Sequence, residues 1–296
     1  MLEIVIGIIF VLLLLSLLAT TIMELIAGML TLRGQNLQRA LRHILGQSGN
    51  LMLFERFREN ALFKQLATRW LGKHYPPSYM HSSSFWSILF SILREDKAIE
   101  TIEDLRARLE TLPDDTLKEA LLQLLAEVEY KYNEAEKQFD AFRQKVEDWY
   151  DNVMDRASGW YKRSTQAILL IIGIIIAVSF DADVIELYSE LSANPEVAAQ
   201  VADQAEDFIL TNQMLLERAD STQQFDAERM LNELNTLVEQ NVKPLQGPLG
   251  LGWDQDELAN REFSFWLLKV AGWIVTALSI TLGAPFWFDL LKMLVN

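Results

Sequence analysis

Three uncharged apolar stretches punctuate the chain: Ile4–Met23, Ser164–Phe180 and Val270–Phe288. Roughly 20 apolar helical residues cross a hydrocarbon core about 30 Å thick, so each stretch predicts a membrane-spanning helix. The first reads as a retained span rather than a cleaved signal. Its only early charge is the acidic Glu3, where a signal peptide wants bases, and apolar character continues to Leu32. The third is entered through Phe263, Phe265 and Trp266, an aromatic interface belt, and Lys269 is expected to snorkel outward. Gly283-Ala284-Pro285 interrupts that stretch and predicts a kink or a new short helix.

The polar segments between the spans also read as helix. Leu37, Ala40, Leu41, Ile44 and Leu45 recur at helical spacing, with Gln38, Arg39, Arg42 and His43 on the other face. Such a basic amphipathic helix suits either the inner leaflet or a packed domain. Leu51–Leu71 predicts a helix stopping at Gly72, before the extended Pro76-Pro77 connection. Ser84–Leu93 and Glu100–Leu112 predict two more. From Asp114, with Asp115 a helix-start signal, there is no proline before Phe180. Phe139, Phe142, Val146, Trp149 and Val153 step by threes and fours, as in a coiled-coil seam. The expectation is a long helical stem feeding the second span, broken near Asn133 or running on, with a bend at Gly159. Beyond the second span, Asn194-Pro195 opens a helix to about Glu217 and Ser221 another to about Gln240. Lys243–Trp253, with two prolines and three glycines, reads as loop.

Charge orients these elements. No Lys or Arg precedes Arg33, and none lies between Arg163 and Arg218. Residues 31–163 hold 20 basic against 20 acidic side chains; residues 181–262 hold 4 against 18. Basic residues near span ends are retained on the cytoplasmic side. The N-terminus is therefore expected outside, residues 33–163 and the C-terminus inside, and the acidic segment outside. A net charge of −15 gives no reason to expect nucleic acid as a partner. The absence of cysteine excludes thiol nucleophiles, disulfides and Cys-based metal sites.

The phrases ELIAGMLTLRGQNLQRALRHIL (24–45), PPSYM (76–80), WYDNVMDRASGWYKRSTQ (149–166), LGW (251–253) and GAPFWFDLL (283–291) resemble an uncharacterised bacterial inner-membrane protein family. Its signatures are an MDRxxGWYKR phrase just before a span and a C-terminal GAPFWFDLL. The resemblance implies a bacterial inner-membrane protein of this topology and brings no reaction, cofactor or mapped site.

Two groups of residues attract attention as candidate sites. Glu24, Arg33, Lys162, Arg163 and Asp289 stand near the inner boundary in this topology, either as a proton or cation path or as a static charge cluster. Trp149, Arg156, Trp160 and Tyr161 form an aromatic and basic phrase fit for anchoring, or for a protein partner or lipid. His43, His74 and His81 have no metal-site spacing, and no nucleotide-binding or nucleophile-elbow motif occurs. Neither a cofactor nor an enzymatic activity is expected. The acidic outer segment lacks a calcium-loop motif, and its charges read as a solvated face. Gly173 with Ala177, and Ser279 with Gly283, have small-residue spacing that allows close helix approach and self-association.

The fold expected is all-α: an integral membrane protein with three transmembrane helices, a long cytoplasmic helical stem and a small external helical domain. Its parts are a first span (1–32), a cytoplasmic helical domain with a coiled-coil-like stem (33–163), a second span (164–180), an acidic external domain (181–262), and a third span with a Gly-Ala-Pro kink (263–296). The function expected is a non-enzymatic multi-pass anchor or scaffold. It would dock a protein partner at the cytoplasmic face of the inner membrane, with membrane lipids and further copies of itself as its other partners. The alternative is a homo-oligomeric channel or ion-conducting membrane complex.

Overall fold

The structure is a computed structural model and describes residues 1–46, 51–70, 73–94, 98–113, 116–132, 134–217, 227–253 and 263–295. The described residues form helices and one short strand pair, and the chain divides into two compact units. One is Leu30–Lys162; the other joins Met1–Met29 to Arg163–Asn296.

The Leu30–Lys162 unit contains α2 (Leu32–Leu45), α3 (Met52–Glu59), α4 (Ala61–Leu66), β1 (Thr68–Trp70), β2 (Lys73–Tyr75), α5 (Ser82–Arg94), α6 (Ile102–Glu110), α7 (Thr116–Lys131) and the first part of α8 (Ala135–Ser179). The apolar stripe of α2 is buried in this unit's core with Phe57, Phe85, Leu105, Leu121, Phe142 and Tyr150. Packing within the domain is thus the role of that face. The helix expected over Leu51–Leu71 is instead broken at Asn60, whose side chain accepts from Leu62 N at 3.0 Å to start α4. Ala67 turns extended, and β1 pairs antiparallel with β2, Thr68 opposite Tyr75. Helix α6 begins with a reciprocal cap between Thr101 and Asp104.

The stem is a hairpin. α7 folds back along α8, with Glu127 2.8 Å from Lys145, and Arg106 of α6 pairs with Glu129 of α7. Phe142 and Val146, read as a coiled-coil seam, are fully buried by their own chain. Helix α8 passes Gly159 without a break. Asp114, Asp115 and Asn133, to which start and break signals were assigned, lie outside the described residues.

Tyr150 is the largest side chain sealed in this core. It stacks on Phe85 at 4.4 Å and donates its hydroxyl to the Met80 carbonyl at 3.1 Å. Burial pushes its phenol above the usual tyrosine value of 10.0. A raised folded value means the stabilisation is intact below about pH 10 and is lost as pH climbs past it. Tyr150→Phe is expected to cost about 1 kcal/mol at pH 7, from the lost hydrogen bond. It should also abolish part of the stability loss above pH 10. Urea titrations at pH 7 and 11 check both; an equal alkaline loss in the variant would contradict the assignment.

The second unit contains α1 (Leu2–Met29), the remainder of α8, α9 (Val184–Ala193), α10 (Pro195–Glu217), α11 (Ala227–Thr236), a π-helical turn (Leu237–Val242), α12 (Lys243–Leu249), α13 (Phe263–Thr281) and α14 (Ala284–Val295). Among the described residues two helices are long and apolar enough to cross a membrane, α1 and α8; α13 with α14 makes a third candidate if the bent pair counts as one span. The bend between them is 91°, and Gly283 supplies it with φ +88°, a conformation natural to glycine. Ser221, read as a helix cap, lies outside the described residues. The stretch read as loop from Lys243 is helical to Leu249. Pro244 sits in the first turn, where its missing N–H costs nothing, and Gly250 at φ +63° closes the helix.

Helix α1 is the core of this unit. Its most apolar window is 67% buried, against 22% for that of α8. It packs on α9, α10, α11, the π turn, α13 and α14, with Phe10 edge-on to Phe208 at 5.5 Å. Within the acidic segment, α9 and α10 pack against α1. Gly173 of α8 faces Ala277 of α13, where an added methyl would lie 3.2 Å from the Ala277 carbonyl. Gly173 thus serves a contact inside the chain.

Candidate functional site

A buried charge network joins the end of α8 to the middle of α13. After Ser179 the chain turns through Phe180–Asp183, with Asp181 at φ +48° and Ala182 N donating to the Ala177 carbonyl at 2.8 Å. Asp183 then caps α9, its carboxylate accepting from Ile185 N at 2.8 Å. This turn holds two carboxylates rigidly against α13.

Opposite them stand Lys269, Gly272, Trp273 and Thr276, one face of α13 at helical spacing. Lys269 is 4% exposed. Its ammonium lies 2.9 Å from Asp181 Oδ2 and also pairs with Glu186 of α9. Trp273 Nε1 donates to the other Asp181 oxygen at 3.0 Å. Thr276 Oγ1 accepts from Val184 N at 3.2 Å and donates to the Gly272 carbonyl at 3.0 Å. At Gly272 a side chain is excluded, because a Cβ there would overlap the Asp183 carboxylate. Trp253 completes the wall: it donates to the Val178 carbonyl at 2.9 Å and its ring meets Trp273 at 5.5 Å.

The expectation that Lys269 snorkels outward is corrected here: it points inward and is twice paired. The physical reason is that Asp181 and Glu186 sit within reach, so an internal ion pair replaces hydration. Two carboxylates, those of Asp181 and Glu186, flank the one ammonium, and among the described residues no buried side-chain nitrogen or oxygen lacks a partner. Such a fully satisfied network locks helices in register. Its elements are also those from which intramembrane proton and ion relays are made.

The charge group expected at the inner boundary is divided: Glu24, Arg163 and Asp289 belong to one unit, Arg33 and Lys162 to the other. Arg33, Lys162, Arg163 and Asp289 are exposed and Glu24 is half-buried. In the second group, Trp149 packs toward Phe85 with ring centroids 6.5 Å apart and belongs to the core margin. Arg156 and Trp160 are exposed and Tyr161 is half-buried. Among the described residues no group of three His, Asp or Glu is placed to hold a metal ion. An open groove of about 480 Å³ lies on the Leu30–Lys162 unit, lined by Trp86, Ser87, Phe90, Ser91, Arg94 and Arg143.

Reasoning from sequence used Asp181 and Glu186 only as orienting charges and missed their pairing with Lys269. The available signal was a lysine seven residues into an apolar helix, together with acids directly following the preceding span. No family model, curated protein or solved structure matches this chain.

Proposed function

We propose that the protein is a non-enzymatic anchor or scaffold of the bacterial inner membrane, held there by α1, the end of α8 and the α13–α14 pair. Its Leu30–Lys162 unit stands in the cytoplasm and docks a protein partner. The observation carrying this reading is that one helix, α8, supplies both a lipid-type surface and a packed core. Its Ile171, Ile174 and Ile175 are exposed, as are Leu267, Leu268, Ile274 and Leu278 of α13, while its Phe142, Val146 and Tyr150 are core residues of the polar unit. Exposed apolar area of that extent is unsuited to water and suited to acyl chains. The groove beside Arg94 and Arg143 offers a basic and aromatic surface for an acidic peptide. Inner-membrane placement and an outside N-terminus follow from the basic flanks and from the family resemblance.

Single cysteines test the topology cleanly, because the chain has none of its own. Glu196→Cys is expected to react with a membrane-impermeant maleimide in intact spheroplasts, and Glu119→Cys only after permeabilisation. The reverse pattern would invert the topology and remove the scaffold reading.

The second reading, a homo-oligomeric conducting complex, is favoured by one observation: an acidic helix, α10, lies alongside the buried α1. Conductance of the purified protein in planar bilayers separates the two.

A further inference from the structure

Two segments 121 residues apart in sequence meet at one end of the Leu30–Lys162 unit. Asn36 of α2 donates its side-chain amide to the Ala157 carbonyl of α8 at 3.3 Å. Two further contacts fix the start of α2. The Gln35 amide donates to the Leu30 carbonyl at 2.8 Å, across a turn in which Thr31 has φ +50°. Gly34 lies so close to the Pro76-Pro77 connection that a Cβ would come within 2.7 Å of the Pro76 carbonyl oxygen. Arg33 stands about one turn from Asn36 in the direction of α1, and Trp160 about one turn from Ala157 in the direction of the apolar stretch of α8. Residues three apart share a helix face, so Arg33 lies on the side of α2 that meets α8, and Trp160 on the side of α8 that meets α2. Arg156 and Lys162 complete this end. The three cations are exposed, as are Trp160 and Leu30.

One continuous helix sets the depth of this end, because α8 runs unbroken from Ala135 to Ser179. At 1.5 Å per residue, Trp160 precedes Ser164, where the uncharged stretch begins, by about 6 Å, and Arg156 precedes it by about 12 Å. If that stretch lies among acyl chains, as the proposed function has it, Trp160 and the cations stand at the level of the headgroups. Little along the chain offsets their charge. No acid lies between Glu24 and Glu55 or between Arg156 and Asp181, and Asp155 is the one neighbouring acid in sequence. We infer that Arg33, Arg156, Trp160 and Lys162 hold the phosphate of one anionic phospholipid per chain. A guanidinium fork matches a phosphate in geometry as well as charge. An indole ring with its N–H suits the boundary between headgroup and acyl chain, and Leu30 adds an apolar edge for the first methylenes. General attraction to a charged surface needs only a basic face on one helix. Here two helix ends are fastened together by the Asn36, Gln35 and Gly34 contacts, which gives the cations a fixed spacing and so a site for a single headgroup.

The inference rests on the membrane reading, and the experiment separates the two. The full chain in detergent is titrated with dioleoylphosphatidylglycerol and, separately, with dioleoylphosphatidylcholine, and bound lipid is counted by native mass spectrometry. Flotation with vesicles of each lipid reports membrane association. The expected result is one phosphatidylglycerol held at concentrations that leave phosphatidylcholine unbound. Arg33→Gln and Arg156→Gln should each weaken that binding about 5-fold. Lys137→Gln removes the same charge from an exposed position about 35 Å back along α8 and should leave it unchanged. A loss in Lys137→Gln equal to the other two would reduce the effect to general charge and overturn the site. Equal retention of both lipids would also overturn it, as would displacement by free glycerol phosphate at the concentration of the lipid, which would make the ligand a soluble phosphate. A chain that floats with neither vesicle overturns the membrane reading itself. One that floats with both and holds no phosphatidylglycerol leaves the anchor standing and overturns the lipid site.

Discussion

Replacing Lys269 by methionine lowers the stability of the unit that contains α1 and α13 by about 3–5 kcal/mol, the usual cost of removing one partner of a buried ion pair. The volume of the side chain is kept, so the loss reports charge rather than a cavity. Asp181 is 4% exposed and would retain only the Trp273 indole against its negative charge. Glu186 is only partly buried and can recover hydration. The double variant Lys269→Met, Asp181→Asn should therefore regain a large part of the loss, because the remaining charge is the one that water can reach. Detergent-solubilised protein monitored by thermal unfolding gives the three midpoints. Equal midpoints for the single and double variants would show that Asp181 is not the stranded charge, and that the network is not what joins α8 to α13.

Gly272→Ala is expected to be as damaging. A methyl there occupies the position of the Asp183 carboxylate. That carboxylate is buried and holds the N-terminus of α9 through Ile185 N, so it cannot yield without uncapping the helix. Overpacking of about 1–3 kcal/mol and loss of the cap, about 1 kcal/mol, add at this site. Gly159→Ala is the matched control: nothing lies within 4 Å of a Cβ at that position. Alanine is favoured over glycine in a helix interior by about 1 kcal/mol, so this variant should be neutral or slightly more stable. If Gly272→Ala unfolds no earlier than Gly159→Ala, the close approach of α13 to Asp183 is wrong.

How much of this could be read from sequence differed from element to element. The apolar runs announced candidate spans, and the break at Gly283-Ala284-Pro285 announced the bend, because proline and glycine act locally. The buried stripe of α2 was legible from spacing alone. Three features were not. Helix α1 is apolar on every side, and that pattern suits a lipid-facing span and a protein core equally; only the presence of α10 and α11 around it decides. A break near Asn133 was one of the two alternatives read from sequence, and α7 does end at Lys131 and α8 begin at Ala135; that the two helices then fold back on each other as a hairpin was not legible. Its apolar seam looks the same whether the partner is another chain or α7. Lys269 was visible, but helical spacing tells which face a residue occupies and not what lies opposite. Its pairing with Asp181 depends on the turn at Phe180–Asp183, where a non-glycine residue adopts a left-handed backbone. The prolines of α12 misled in the other direction, since one sits in the first turn, where a helix tolerates it.

In the proposed function the apolar flank of α8 and α13 lies in hydrocarbon. Nitroxide labels placed singly at Ile171, Ile175, Leu268 and Leu278 of the cysteine-free chain, in reconstituted bilayers, read this directly through collisions with oxygen and with a water-soluble nickel chelate. High oxygen and low nickel accessibility at all four positions, against the opposite at Glu119, is the predicted result. Nickel accessibility at these four positions equal to that at Glu119 would contradict it.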